Sequence, residues 1–370
     1  YFWPENFRIN DLLLSLSKKG HEITVFTGEP NYPEGKIFTE YKKNKNYFNF
    51  LENIKIIRIP VIPRGKSLFQ LFLNYLSFAI NLSVMSIFKF RESTFDLIFV
   101  YQPSPISVGI PAILIKKVKK IPIIIYTLDL WPESLSSSGT VKSNFILYLV
   151  RLLVKWIYRN CDIILVQSKS FKSHIGKYFK NKKSIIYFPS WAEDIFSSSN
   201  KSIRKDINDN CLNILFAGNI GIAQDFPSII KAANELKKLK YKIQWIIIGE
   251  GRMLRWCRNE VKRLKLENEF LFKGQLPLEN MPAWYEVSDF LFLSLKPGDA
   301  YSQVIPGKLQ SYMLYGKPIL AMIDGESAEI INESISGLVS PAGDYKKLAE
   351  NIILASSLSK KALDRYGSNA

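Results

Sequence analysis

The chain has 370 residues, of which 47 % are hydrophobic and 22 % charged. That composition excludes a disordered polymer and fits two domains of ~150–200 residues better than one core. Lys and Arg outnumber Asp and Glu by 50 to 33, a net charge of +17. The excess is uneven. Residues 1–195 carry 27 basic and 14 acidic side chains, and residues 196–370 carry 23 and 19. The first half is therefore suited to an anionic neighbour: nucleic acid, a phosphorylated substrate or a lipid surface. Cys161, Cys211 and Cys257 form no CxxC or Cys/His spacing, so no zinc site is expected and a reduced, cytosolic setting is.

In chain order, the sequence opens at Tyr1 with loop-like residues, as though a short first strand were missing. A helix over 12–19 ends at Gly20 and leads into a strand over 22–27. Residues 67–88 hold no charge and are long enough to span a bilayer. Gln70, Asn74, Ser77 and Asn81 recur there at helical spacing, so three readings stay open: a span, a membrane-surface helix or a core helix. Short aliphatic strands follow at 97–100, 121–126 and 163–166, with helices over 106–118 and 144–159 between them. A polar, serine-rich stretch over 191–211 reads as a linker.

A second alternation then runs to the end. Strands are expected at 213–217, 243–248, 270–272, 290–295 and 318–322. Helices are expected at 226–239, 252–265, 279–286, 308–315 and 326–333, with a last one from 344. The pattern implies an α/β chain of two Rossmann-like domains, 1–190 and 212–370, joined by the linker. Ligands of such sheets sit at the carboxyl ends of the strands, here in the cleft between the two domains.

Glycines mark those ends in the second half. Gly218-Asn219-Ile220-Gly221 follows a strand and precedes a helix, a turn that lets backbone N–H groups approach a phosphate. Gly249-Glu250-Gly251-Arg252 repeats the device after the next strand, with Arg252 at a helix start where a cation suits only an anion. Pro306-Gly307 opens another helix and Gly316 closes it, leaving Lys308, Gln310 and Ser311 in the first turn. Lys308 has the wrong charge for the helix dipole and the right one for a pyrophosphate.

In the first half, Asp129 and Glu133 emerge from an aliphatic strand within Asp129-Leu130-Trp131-Pro132-Glu133-Ser134. An acid there can orient or deprotonate a hydroxyl. Two proline loops belong to the same rim and supply Pro4, Glu5, Asn6, Arg8, Asn31 and Tyr32. The two histidines, His21 and His174, are poorly placed for catalysis.

Taken together, Gly-His-Glu-Ile-Thr-Val-Phe-Thr-Gly at 20–28, Asp-Leu-Trp-Pro-Glu-Ser at 129–134, Phe-Ala-Gly-Asn-Ile-Gly at 216–221 and Ile-Gly-Glu-Gly at 248–251 resemble glycosyltransferase family four, of GT-B fold. Pro-Gly-Lys-Leu-Gln-Ser-Tyr-Met at 306–313 and Asp-Gly-Glu-Ser-Ala at 324–328 extend the likeness. The subfamily resembled is that of the L-fucosamine transferases of bacterial O-antigen, capsule and colanic acid synthesis.

The resemblance implies a retaining transferase that needs no metal and no cofactor beyond its UDP-sugar co-substrate. It implies that Gly218, Asn219, Gly221, Gly249, Gly251, Arg252, Lys308, Gln310, Ser311, Tyr312 and Glu326 bind the donor. The first domain would take a polyprenyl-diphosphate-linked acceptor, with Asp129 and Glu133 catalytic and the rim residues acceptor-binding. Work at the inner face of the bacterial cytoplasmic membrane, on an anionic lipid surface, follows from the same likeness. Many members carry a Glu-x7-Glu pair where this chain has Gln303 and Ser311. A UDP-sugar 2-epimerase of the same fold is the alternative enzyme, and a basic nucleic-acid-binding protein the non-enzymatic one; no nucleic-acid module is present to favour the latter.

Overall fold

The computed structural model describes every residue except 1–6, 32–34, 66, 89–91, 138, 179–183, 197–206 and 209. Pro4, Glu5, Asn6 and Tyr32 therefore lie outside the described residues, as does much of the 191–211 stretch. The chain forms two compact units, Tyr1–Pro189 and Ser190–Ala370. Both are α/β, with sheets that are parallel apart from one short hairpin strand in the first unit.

In the first unit, β1 (Thr24–Gly28), β2 (Phe50–Leu51) and β3 (Ile54–Ile59) form a sheet of order β1-β3-β2. β1 runs parallel to β3, and β2 forms a hairpin with it. The strands β4 (Ile98–Gln102), β5 (Ile123–Thr127), β6 (Ile163–Val166) and β7 (Ser184–Tyr187) make a second, wholly parallel sheet in sequence order. Their aliphatic runs suit strands covered on both faces. The uncharged segment is one 21-residue helix, Leu68–Phe88.

The second unit holds β8 (Leu212–Ala217), β9 (Ile243–Ile248), β10 (Phe270–Gly274), β11 (Phe290–Ser294), β12 (Ile319–Met322) and β13 (Gly337–Ser340). All are parallel, in the order β10-β9-β8-β11-β12-β13. This is a doubly wound sheet whose order reverses between β8 and β11, the point where such sheets open a crevice for ligands.

The period of two divides each strand between two cores. Ile214, Phe216, Trp245, Ile247, Phe290, Phe292, Leu320 and Met322 face one cluster, with Phe226 and Ile229 of the Phe226–Lys238 helix. Leu215, Ile246, Ile248, Leu291, Leu293, Ile319 and Ala321 face the other, with Leu309 and Tyr312 of the Gly307–Tyr315 helix. That helix is thus fixed by buried packing on its far side, which leaves its first turn at the strand ends.

Candidate active site

The carboxyl end of β8 is built from glycine. Gly218, Gly249 and Gly251 have φ of 143°, 136° and 157°, a region that side chains rarely adopt. The two turns are sewn together by backbone hydrogen bonds: Gly218 N–H donates to Ile248 O (2.8 Å), Ile220 N–H to Glu250 O (2.8 Å) and Met253 N–H to Ile220 O (3.0 Å). A Cβ on Gly249 would collide with the Gly218 carbonyl, and one on Gly251 with that of Ile220. Gly221 is buried and donates its N–H to Gln224 Oε1 (3.1 Å), while exposed Asn219 lies over Gly221 and Gly251.

Lys308 enters this frame from the Gly307–Tyr315 helix. A Cβ on Gly218 would lie 2.5 Å from Lys308 Cε and 2.7 Å from Nζ, so the lysine occupies the space that glycine leaves. Its Nζ stands 3.9 Å from the centroid of the buried Phe216 ring. Lys308 is half-buried, and burial pushes its amine down to about 7. A ring face is a weak substitute for water around a cation. The amine is therefore poised to gain from an anion brought beside it.

Tyr312 is wholly buried and its hydroxyl accepts from Ala217 N–H (3.3 Å), tying the helix to the end of β8. Three expected donor-binding side chains are arranged differently from the sequence reading. The Ser311 hydroxyl donates to Gly307 O (3.3 Å) inside its own helix, because a carbonyl four residues back is the nearest acceptor. With its amide turned so that the nitrogen faces acceptors, Gln310 donates to the carbonyls of Gly307 (3.1 Å) and Pro306 (3.0 Å). Arg252 is exposed in a turn ahead of a helix that begins only at Leu254, so it is no helix-start cation. Glu326 begins the Glu326–Ser334 helix and is 6 % exposed. Gly325 (φ 75°) lets that helix start against the Ser302 carbonyl, and the Ser327 hydroxyl donates to Val304 O (3.2 Å).

In the first unit, Asp129 lies just beyond β5. Its Oδ2 accepts from Trp131 Nε1 (3.0 Å) and Ser134 Oγ (3.2 Å). Burial raises the carboxyl to about 6, and the hydrogen bonds from Ser134, Trp131, the Leu130 backbone and Ser104 limit the rise. The Tyr75 ring packs on Trp131 with centroids 6.4 Å apart, and the Ser104 hydroxyl also serves Tyr75. Sequence reading missed Ser104 and Tyr75. The signal for Ser104 was present in Pro103-Ser104-Pro105, a loop at the end of β4, the neighbour of β5.

Glu133 has a different environment from Asp129. Its Oε1 is 3.2 Å from His174 Nε2, a residue set aside at the sequence level. Burial is the largest single influence and raises this carboxyl, but the hydrogen bond from His174, a backbone hydrogen bond and the charges of His174 and Arg151 together outweigh it and hold Glu133 below its usual value. Asn31 donates to Glu29 O (2.8 Å) and accepts from Arg64 N–H (2.9 Å), so its amide ties two loops together. Arg8 lies in the first helix, Phe7–Lys18.

Comparison with known proteins accounts for both units. Residues 7–189 match the family described as Glycosyltransferase Family 4, and residues 198–370 match Glycosyl transferases group 1. The chain is 24 % identical over 313 residues to the putative colanic acid biosynthesis glycosyl transferase WcaI of Escherichia coli K12, covering 81 % of this chain and 75 % of that one. Among solved structures, sucrose-phosphate synthase from Thermosynechococcus elongatus superposes with a TM-score of 0.74 at 14 % identity, over 99 % of this chain and 87 % of that one. Anabaena HepE, solved in complex with UDP and glucose, gives 0.67 at 14 % identity, over 94 % and 93 %. Neither family match is to an epimerase. Its first unit of the family 4 type and its second of the group 1 type make this chain a glycosyltransferase of GT-B fold.

Proposed function

We propose that the chain is a retaining, metal-independent transferase of bacterial surface-polysaccharide synthesis. It moves N-acetyl-L-fucosamine or another N-acetylated hexose from UDP to a polyprenyl-diphosphate-linked acceptor at the inner face of the cytoplasmic membrane. One observation carries the donor side: a desolvated, underprotonated Lys308 amine beside Gly218, at the point where the strand order reverses. Colanic acid in the name of WcaI and UDP in the HepE complex support the pathway class and the nucleotide. The excess of basic residues in the first 195 supports an anionic surface.

In this reading the bond between the sugar's anomeric carbon and the diphosphate breaks while an acceptor hydroxyl bonds to that carbon. The hydroxyl proton passes to the departing phosphate oxygen, and UDP leaves. Lys308 offsets the charge that develops on the diphosphate, so it stabilises the transition state more than the ground state. Asp129, with its carboxyl at about 6, is mostly ionised at pH 7 and orients the acceptor hydroxyl.

Calorimetric titration of UDP into the parent and into Lys308→Ala tests the donor side. The parent should bind, and the variant should lose about 2 kcal/mol or more, roughly 30-fold in affinity. Equal affinity in the two would remove Lys308 from the donor site. Sugar-nucleotide panels with a lipid-linked acceptor then identify the transferred group.

A further inference from the structure

We infer that two helices of the first unit form a bilayer-contact surface for anionic lipid, and that this surface sets the depth of Asp129. The inference rests on the lipid-linked acceptor reading and names the part of the chain that meets the lipid. The first helix is Leu68–Phe88. Three residues of its polar stripe turn to the backbone of residues 60–62, while Gln70 is exposed. Asn74 Nδ2 donates to Ile62 O (2.6 Å), Ser77 Oγ accepts from Ile62 N–H (2.9 Å), and Asn81 Nδ2 donates to Pro60 O (2.7 Å). Ala79, Leu82, Ser83 and Ser86 are buried. The outward face is the apolar one: Phe69, Phe72, Leu76, Ile80, Val84 and Ile87, with Phe69 68 % and Phe72 58 % exposed. Their spacing of three or four residues puts them on one side of the helix.

The second helix, Asn144–Asn160, repeats the arrangement. It buries Val154, Ile157 and Tyr158 and exposes Phe145, Tyr148, Leu149, Leu152 and Trp156. The Gly109–Lys119 helix packs against both, closely enough that a Cβ on Gly109 would sit 2.6 Å from Ile157 Cγ2. These three helices contain six basic residues and no acidic one. Lys117, Arg151 and Arg159 are exposed. Exposed apolar side chains on helices whose charged residues are all basic, two of them (Lys116 on Asp162 at 2.6 Å, and Arg151 near Glu133) facing acids of other elements, match a lipid surface with anionic headgroups.

Two observations decide between lying on the bilayer and crossing it. A span would have to break the three hydrogen bonds to residues 60–62 and the packing on the Gly109–Lys119 helix. Tyr75, on the same helix as Phe72 and Leu76, packs on Trp131, whose indole donates to Asp129. A helix about 10 Å across thus lies between the lipid-facing side chains and the Asp129 cluster.

Flotation of the purified chain with vesicles tests this. The parent should float with phosphatidylglycerol-containing vesicles, less so at 0.5 M salt, and poorly with pure phosphatidylcholine. Leu76→Glu/Ile80→Glu and Leu149→Glu/Leu152→Glu should each weaken partition about tenfold or more, with the thermal melt and UDP binding unchanged. Brominated lipid should quench the parent's tryptophan fluorescence, and Trp156→Phe should lose part of that quenching, a readout that needs no charged substitution. Unaltered flotation in both double variants overturns the inference. So does retention in vesicles after an alkaline carbonate wash, which means a span. A parent that sediments as a dimer, with monomeric double variants, gives the faces to a second copy instead. UDP binding without flotation overturns the surface alone; flotation that the double variants abolish, without UDP binding, overturns the donor reading alone.

Discussion

The carboxyl edge of β5 and that of β8 handle a buried charge in opposite ways. Beyond β5, burial lifts the Asp129 carboxyl to about 6, and the indole, two hydroxyls and a backbone N–H around it restrain the rise. Beyond β8, burial lowers the Lys308 amine to about 7 with a ring face beside it and nothing opposing the shift. The same desolvation acts on both, and it drives an acid up and a base down. What differs is preorganisation. The acid is held by fixed dipoles and keeps its position whether or not it meets a ligand. The base is held by a gap that glycine creates, and an anion supplies what that gap lacks.

The largest effect should come from crowding the turn that frames that gap. Gly249→Ala places a Cβ against the Gly218 carbonyl at a φ of 136°, where the nearest atoms are backbone and no flexible side chain can yield. Strain and overlap together should cost about 3 kcal/mol or more of folding stability in urea unfolding. A loss below about 1 kcal/mol would mean that the two glycine turns shift freely, and the contrast with the fixed Asp129 site would go.

The next two effects have opposite pH signatures. Lys308 has a folded pKa below its unfolded value, so the folded state must charge a desolvated amine in acid. That penalty is full below about pH 7 and fades as pH rises toward the unfolded value near 10.5. Lys308→Met removes it and should raise stability by about 2 kcal/mol at pH 6, with little change at pH 10, while UDP binding weakens by roughly 30-fold. Asp129 has a folded pKa above its unfolded value. Its penalty is present above about pH 6 and absent below about 3.8. Asp129→Asn should therefore stabilise by about 1–2 kcal/mol at pH 8 and do little at pH 4, while transfer activity falls. Melting curves at those pH values separate the two, and matching pH signatures would show that burial is not the common cause.

Much of the second unit was legible because its signals are local. Aliphatic runs such as Ile246-Ile247-Ile248 can only be buried strands, and a glycine after each reports a backbone that no other residue fits. Harder to see were β3, where Lys55 and Arg58 interrupt the apolar run, and β13, whose Gly337-Leu338-Val339-Ser340 is too short to stand out. At the site, residue type set what Ser311 and Gln310 can bond but not which partner wins, and in each case the helix's own carbonyls won. The 67–88 segment shows the same limit. Its polar stripe is plain in the sequence, yet only the backbone of Pro60 and Ile62 decides that Asn74, Ser77 and Asn81 turn toward the protein. Which carboxylate is isolated and which is paired was likewise tertiary information, since His174 reaches Glu133 from 41 positions along the chain.

The smallest effect is the most discriminating. At pH 8 an amine with a pKa of about 7 is largely neutral in the free chain, whereas UDP is already fully ionised because phosphate loses its second proton near 6. Seating the diphosphate beside Lys308 should then draw close to one proton from solution. Affinity should fall by up to about tenfold per pH unit above 7, because one proton is taken up on binding. Titration calorimetry at pH 8 in two buffers of different ionisation heat counts that proton directly. Lys308→Met should take up none, and Asp129→Asn should match the parent, since the acid titrates below this range. A proton count near zero in the parent would mean that the amine is already charged or that the diphosphate sits elsewhere. A count altered by Asp129→Asn would mean that the two edges are coupled through the ligand, and their separate treatment would fail.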